Sequence, residues 1–62
     1  MIKIGDFAKM FDVSIKTVRF YEQKGLLKPC FIDVYSGYRY YNEKNIEEMT
    51  VILNLKDLGF SL

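Results

Sequence analysis

Apolar residues fall at Ile4, Phe7, Ala8 and Phe11, offsets of 0, 3, 4 and 7. That spacing puts them on one stripe of an amphipathic helix over residues 4–11. Asp12 follows, and aspartate tolerates the left-handed backbone of a sharp turn. Ser14 can cap a second helix by accepting a backbone N–H. That helix is expected to run to about Lys24, with Gly25 as its stop. Leu26, Leu27, Lys28 and Pro29 form a connector, because proline closes off further helix. Two β-like runs, 30–35 and 38–41, flank Ser36-Gly37 and predict a hairpin. Asn42 can cap a third helix over residues 43–58, with Gly59 just past its end. Ser61 is placed to cap one more helix.

The third helix carries two apolar stripes, Ile46/Met49/Leu53 and Val51/Leu55/Leu58. So wide an apolar surface asks either for a helix wedged in the core or for a neighbour, as more chain or as a partner subunit. The pattern as a whole predicts one domain over residues 1–62, mainly α with a small β-hairpin. A helix-turn-helix would occupy 4–24, the hairpin 30–41 and the third helix 43–58.

Composition narrows the function classes. With 50% hydrophobic and 16% aromatic residues among 62, the chain is globular rather than disordered. A chain of this size buries only about 60% of its unfolded surface. One cysteine and no histidine exclude an internal disulfide and a His/Cys metal cluster, so no cofactor is expected. Cys30 reads as a small buried hydrophobe after Pro29. No apolar run approaches a membrane span and no signal-peptide pattern opens the chain, so a cytoplasmic setting without membrane contact is the expectation. An enzyme is not expected: no glycine-rich phosphate loop or nucleophile motif is present. Glu43, Glu47 and Glu48 at helical spacing read as a solvated face.

The net charge of +1 says little, but its distribution says more. Lys16, Arg19, Lys24 and Lys28 face a single acid, Glu22, in the stretch 14–28. Glu43, Glu47, Glu48 and Asp57 outnumber Lys44 and Lys56 in 42–57. The domain should therefore have a positive end and an acidic face. In the two-helix unit Ala8 is small where helices would cross, and Val18 and Tyr21 point back from the second helix. Lys16, Phe20 and Lys24 line its outer edge. Thr17 and Gln23 flank that edge, and Arg19 sits beside Gln23. Phe20 in a basic face is either a stray exposed ring or a contact with a ligand surface such as a sugar-phosphate backbone. A DNA duplex suits these residue types. Lysine and arginine release counterions from phosphates, arginine can pair two donors with a phosphate or a guanine edge, and Thr17 offers a short hydroxyl.

Several segments stand in a telling order: Ile4-Gly5-Asp6-Phe7-Ala8-Lys9, Val13-Ser14, TVRFYEQKGLLKP, SGYRYYNEKNIEEM and LKDLGFSL. Together they resemble the N-terminal DNA-binding domain of MerR-family transcription regulators, in register over essentially the whole chain. The resemblance implies a winged helix-turn-helix whose recognition helix, residues 14–24, enters the major groove. The candidate DNA-binding residues are then Ser14, Lys16, Thr17, Arg19, Phe20, Tyr21, Tyr38, Arg39 and Lys56. Arg19 matches a DNA-contacting arginine of the family. Phe20 and Tyr21 match a tyrosine pair that holds phosphates, although Phe20 has no hydroxyl to donate. The hairpin would be the wing, with Tyr38 and Arg39 against the backbone, and Lys56 would reach a phosphate from a second, helical wing.

The resemblance further implies a homodimer formed through a long helix beyond residue 62. It implies double-stranded promoter DNA as partner, with RNA polymerase on the same promoter. The effector would be a small organic molecule bound outside this segment; metal-sensing members take their ligands from later positions, and Cys30 matches none of them. Family members distort promoters whose −35 and −10 elements are too far apart, at a cost of several kcal/mol. Two rivals use the same features differently: an excisionase-like DNA-bending recombination factor, and a protein-binding module built on the last helix. Within Ser36-Gly37-Tyr38-Arg39-Tyr40-Tyr41, strand alternation separates Tyr38 and Tyr40 from Arg39 and Tyr41. Tyr40 and Tyr41 are expected to anchor the strand, and Tyr38 and Arg39 to reach the DNA backbone.

Overall fold

The computed structural model describes residues 1–60. The expected cap at Ser61 lies outside the described residues. The order of elements is β1 (Ile2–Lys3), α1 (Ile4–Met10), α2 (Ile15–Gln23), β2 (Phe31–Ile32), β3 (Arg39–Tyr41) and α3 (Glu43–Asp57). Three helices and a small antiparallel sheet make a winged helix-turn-helix.

The turn between α1 and α2 forms where the local chemistry asks for it. Asp12 takes a positive φ of 54°, and the Val13 N–H reaches back to the Ala8 carbonyl at 3.1 Å. Ser14 Oγ then accepts the Thr17 N–H at 3.1 Å and starts α2. Phe7 and Ala8 of α1 are buried against Val18 and Tyr21 of α2, so the small side chain at 8 does lie where the helices meet.

Both long helices end in the same device. At the end of α2, Gly25 has φ 77°, its N–H bonds the Glu22 carbonyl, and the Leu26 N–H bonds that of Tyr21. At the end of α3, Gly59 has φ 89°, its N–H bonds the Lys56 carbonyl, and the Phe60 N–H bonds that of Leu55. This paired reach-back satisfies the last carbonyls and reverses the chain, and it needs a residue tolerant of the left-handed region. After α2 it drops Leu27 into the core.

The sheet differs from the expected hairpin in two ways. Its order is β1-β3-β2, so β3 is the central strand. Ile2 and Lys3 pair with Tyr41 and Tyr40 along one edge of β3, and Phe31 and Ile32 pair with Tyr40 and Arg39 along the other. The wing strands are also shorter than the β-like runs. Asp33 Oδ1 accepts the Tyr35 N–H at 2.8 Å, and the Gly37 N–H bonds the Asp33 carbonyl at 2.7 Å. The turn therefore begins at Asp33, ahead of Ser36-Gly37, because the aspartate side chain draws the backbone out of the ladder.

Cys30 is exposed, against the expectation of burial; Pro29 is the residue turned inward. The Cys30 Sγ–H donates to the Tyr40 carbonyl at 3.3 Å. Tyr41 is fully buried and stacks on Phe7 with ring centroids 4.4 Å apart. Tyr40 is only half-buried, against Phe31 at 5.9 Å.

Asn45 fixes the third helix. It closes a reciprocal cap with Asn42, and its side-chain amide donates to the Lys28 carbonyl at 2.7 Å and to Glu48 Oε1 at 2.8 Å. The connector after α2 is thereby tied to the start of α3. Met49 and Ile52 complete the core, with Ile46 and Leu53 packed at its margin. Val51 and Leu58 of the other stripe are exposed, so the core takes one side of α3 and leaves the other uncovered.

Candidate nucleic-acid interface

The outward side of α2 presents Lys16, Arg19 and Phe20 to solvent. Ser14 and Thr17 stand at its first turn with their hydroxyl oxygens 3.0 Å apart. The unpaired N–H groups of a helix start add partial positive charge there. Phe20 is 45% exposed. Its ring meets the edge of Tyr21 at 5.6 Å, and Lys24 Nζ lies 5.4 Å from its centroid. A ring held between a phenol and an ammonium is a fixed apolar platform inside a cationic surface.

An open cleft of about 410 Å³ lies beside this platform, lined by Lys16, Thr17, Phe20, Tyr21, Lys56 and Phe60. Lys56 comes from the last turn of α3 and so meets α2 across the fold. Tyr21 is only 3% exposed: its ring belongs to the core and forms part of the cleft wall. Phe60 is a residue of this cleft that sequence reasoning missed. Its signal was Gly59, whose left-handed turn folds the chain back at this point.

Tyr38 and Arg39 stand elsewhere. They line a second cleft, of about 330 Å³, with Lys3, Ile4, Gly5 and Asp6. Lys3, from β1, was also missed, because a two-residue strand has no readable period. Tyr38 is exposed. Arg39 is not a free cation: its Nε donates to Glu22 Oε1 at 2.7 Å, and its Nη1 reaches the Gly37 carbonyl at 3.4 Å. Arg19 Nε lies 3.9 Å from the same Glu22 oxygen. The lone acid of the basic stretch thus sits between an arginine of α2 and one of the wing. Close by in charge, the Tyr41 phenol is pushed up from its ordinary value of 10.0, first by burial and then by the Glu22 carboxylate. Its hydroxyl is buried and has no hydrogen-bond partner among the described residues.

The nine candidate residues therefore fall into two groups. Lys16, Thr17, Phe20, Tyr21 and Lys56 share one cleft, with Ser14 bonded to Thr17 at its margin. Tyr38 and Arg39 share the other, and Arg19 joins Arg39 through Glu22. Exposed ammonium and guanidinium groups, a hydroxyl pair and an aromatic platform suit a polyanion with flat, apolar faces between its charges. Among the described residues no group of His, Cys, Asp and Glu could hold a metal ion.

Comparison with known proteins gives consistent matches. The family model described as MerR HTH family regulatory protein matches residues 2–62. The chain is 40% identical over 62 residues to the transcriptional regulator BrlR of Pseudomonas aeruginosa, covering 100% of this chain and 23% of that protein. Among solved structures it superposes on EcmrR, from the cryo-EM structure of the EcmrR–DNA complex in EcmrR-RPo. There the TM-score is 0.92 and the identity 38%, over 97% of this chain and 22% of that one. It also superposes on HiNmlR, a MerR family regulator lacking the sensor domain, in a crystal structure bound to promoter DNA. That match has a TM-score of 0.84 and 30% identity, over 97% of this chain and 47% of that one. The chain spans from about a fifth to about half the length of these relatives.

Proposed function

The chain belongs to the MerR HTH family of regulatory proteins, and from that premise we propose that it is the DNA-reading domain of a transcription regulator. The observation that carries this reading is the shared cleft. Lys56 arrives from α3 on the same surface as Lys16, Thr17 and Phe20 of α2, so two elements far apart in sequence present cations together. α2 is the recognition helix, read in the major groove through Arg19 and Thr17. Phosphates on one flank meet Lys16 and Lys56, with Ser14 at the helix start, while Tyr21 shapes the wall and Phe20 lies against sugar. The wing, with Tyr38 and Arg39, holds the backbone on the other flank.

The rest of the mechanism belongs to the longer regulator. Two copies pair through a helix beyond residue 62 and seat two such domains on promoter DNA, with RNA polymerase on the same promoter. A small organic effector, bound outside this segment, changes the dimer so that the promoter is bent and untwisted. DNA complexes of similar proteins support the regulator over a recombination factor. No helix among the described residues is long and apolar enough to cross a membrane, and the regulator works where its promoter is, in the cytoplasm.

Lys56→Ala tests the shared cleft. Titrating a mixed-sequence 30-base-pair duplex at several salt concentrations, we expect weaker binding on every sequence and a salt slope smaller by about one. Unchanged affinity and slope would remove Lys56, and with it the shared cleft, from the interface.

A further inference from the structure

Glu22 is the one acid on the basic stretch of α2, and the DNA contacts proposed above leave it without a role. Its Oε1 accepts from Arg39 Nε at 2.7 Å and lies 3.9 Å from Arg19 Nε, one turn earlier on the same helix. The Glu22 and Arg39 side chains are 21% and 23% exposed, whereas that of Arg19 is 46% exposed. The close pair is therefore largely shielded, unlike the mobile surface pairs that contribute little. It also joins residues 17 positions apart, on α2 and on β3, so it sets the wing arginine relative to the recognition helix.

A carboxylate between two arginines can act in two opposite ways on a DNA-binding surface. It can compete with phosphate for the guanidinium groups, or it can hold one of them in place. The bonding pattern favours the second. Arg39 spends Nε on Glu22 and Nη1 on the Gly37 carbonyl at 3.4 Å. Among the described residues its Nη2 has no hydrogen-bond partner. Guanidinium is planar and carries five donors in a rigid fork, so one edge can stay on a carboxylate while the other end meets a phosphate. With Nε held, the plane of the fork is fixed before DNA arrives. An arginine released from Glu22 would have to give up its rotamer freedom on binding instead.

We propose that Glu22 is a positioning residue for DNA binding: it touches no DNA itself, and it orients Arg39 so that the terminal nitrogens of the guanidinium face the backbone. The inference rests on the DNA-reading function above and adds to it a part for the single acid of the recognition helix. Glu22 thereby makes the wing and the helix one preorganised surface.

Three variants and one resonance test it. Glu22→Ala removes the bond and the charge, and Glu22→Gln removes the charge but keeps an acceptor oxygen. Both replacements are strong helix formers, so α2 is retained. Binding of the full chain to a mixed-sequence 30-base-pair duplex is measured by fluorescence anisotropy. We expect Glu22→Ala to weaken binding roughly three- to tenfold, the scale of one partly shielded charge-assisted hydrogen bond. Glu22→Gln should stay within about twofold of wild type. In an Arg39→Ala background Glu22→Ala should add no further loss, because it acts through Arg39. The Arg39 Nε–H resonance of the wild type should persist when duplex is added.

Binding by Glu22→Ala as tight as wild type or tighter would overturn the proposal, and so would an equal loss in the Arg39→Ala background. Disappearance of the Nε–H resonance on adding DNA would make Glu22 a competitor of phosphate and overturn it as well. The resonance decides the matter even if Glu22→Ala does not fold. A wild type that does not bind the duplex at low salt and a large excess of DNA, where even a weak single domain is occupied, overturns the DNA-reading function itself. A wild type that binds, with Glu22→Ala equal to it, overturns this inference alone.

Discussion

At Tyr41 two demands meet in one side chain. The ring closes the core by stacking on Phe7, while the hydroxyl is buried without a partner among the described residues. Burying an unpaired hydroxyl costs about 1–3 kcal/mol, and removing it can be neutral or favourable. Tyr41→Phe should therefore leave thermal stability unchanged or raise it by up to about 1 kcal/mol; a clear loss in a melting curve would mean that the hydroxyl has a partner. The sign of the pH effect follows from the same burial. The folded state holds the phenol neutral above its ordinary value of 10.0. The unfolded chain then binds fewer protons, so stability falls as pH rises beyond that value. This alkaline loss should be smaller in Tyr41→Phe. At this scale the sequence was legible where a side chain caps a helix or sits in a tight turn between helices. Asp12, Ser14 and Asn42 show the turn and caps that their side chains favour. The bond between Glu22 and Arg39 was not legible, because no local preference links residues on different elements.

Among the elements, the helices follow their apolar periods closely and the sheet follows its pattern less well. A helix of seven residues or more repeats its stripe, whereas β1 and β2 have two residues each and no period to read. Their pairing is set by β3, which the fold places between them. The wing turn shows the other limit. A single side chain, Asp33, moves the start of the loop, and alternation alone favours the longer strands. The end of α3 offers a test of how one glycine shapes the candidate site. Nothing lies near a Cβ built at Gly59, yet its φ is 89°, so Gly59→Ala strains only the backbone. We expect a loss of about 1 kcal/mol in denaturant unfolding. Phe60 should also leave the cleft that it lines with Lys16, Thr17 and Phe20, seen as changed chemical shifts of those three residues. Unchanged shifts would separate the cleft from that turn.

Across the whole molecule, charge and apolar surface are divided. Cations collect on α2 and at the end of α3, while Val51 and Leu58 leave part of α3 uncovered. One such domain has few phosphate contacts, so it should bind duplex DNA weakly and with a shallow salt slope, which steepens when two domains are joined. Fusing an antiparallel coiled coil after residue 62 should raise affinity for a two-site duplex by about 10²–10⁴ through effective concentration alone. Equal affinity of the fused and unfused chains in the same titration would contradict a dimeric reader. What the sequence did not show at this scale is the meeting of Lys56 with Lys16. Their approach depends on the packing of α3 on the core through Met49 and Ile52, and on no motif that contains both.

The central claim is that α2, the end of α3 and the wing form one DNA-reading surface. Chemical-shift mapping of the labelled chain with a mixed-sequence 30-base-pair duplex tests it most directly. We predict the largest changes at Lys16, Thr17, Phe20, Arg39, Lys56 and Phe60, with Glu43 and Glu47 at the acidic start of α3 unmoved. Changes confined to the start of α3, or none at all at low salt and a large excess of duplex, would contradict the account.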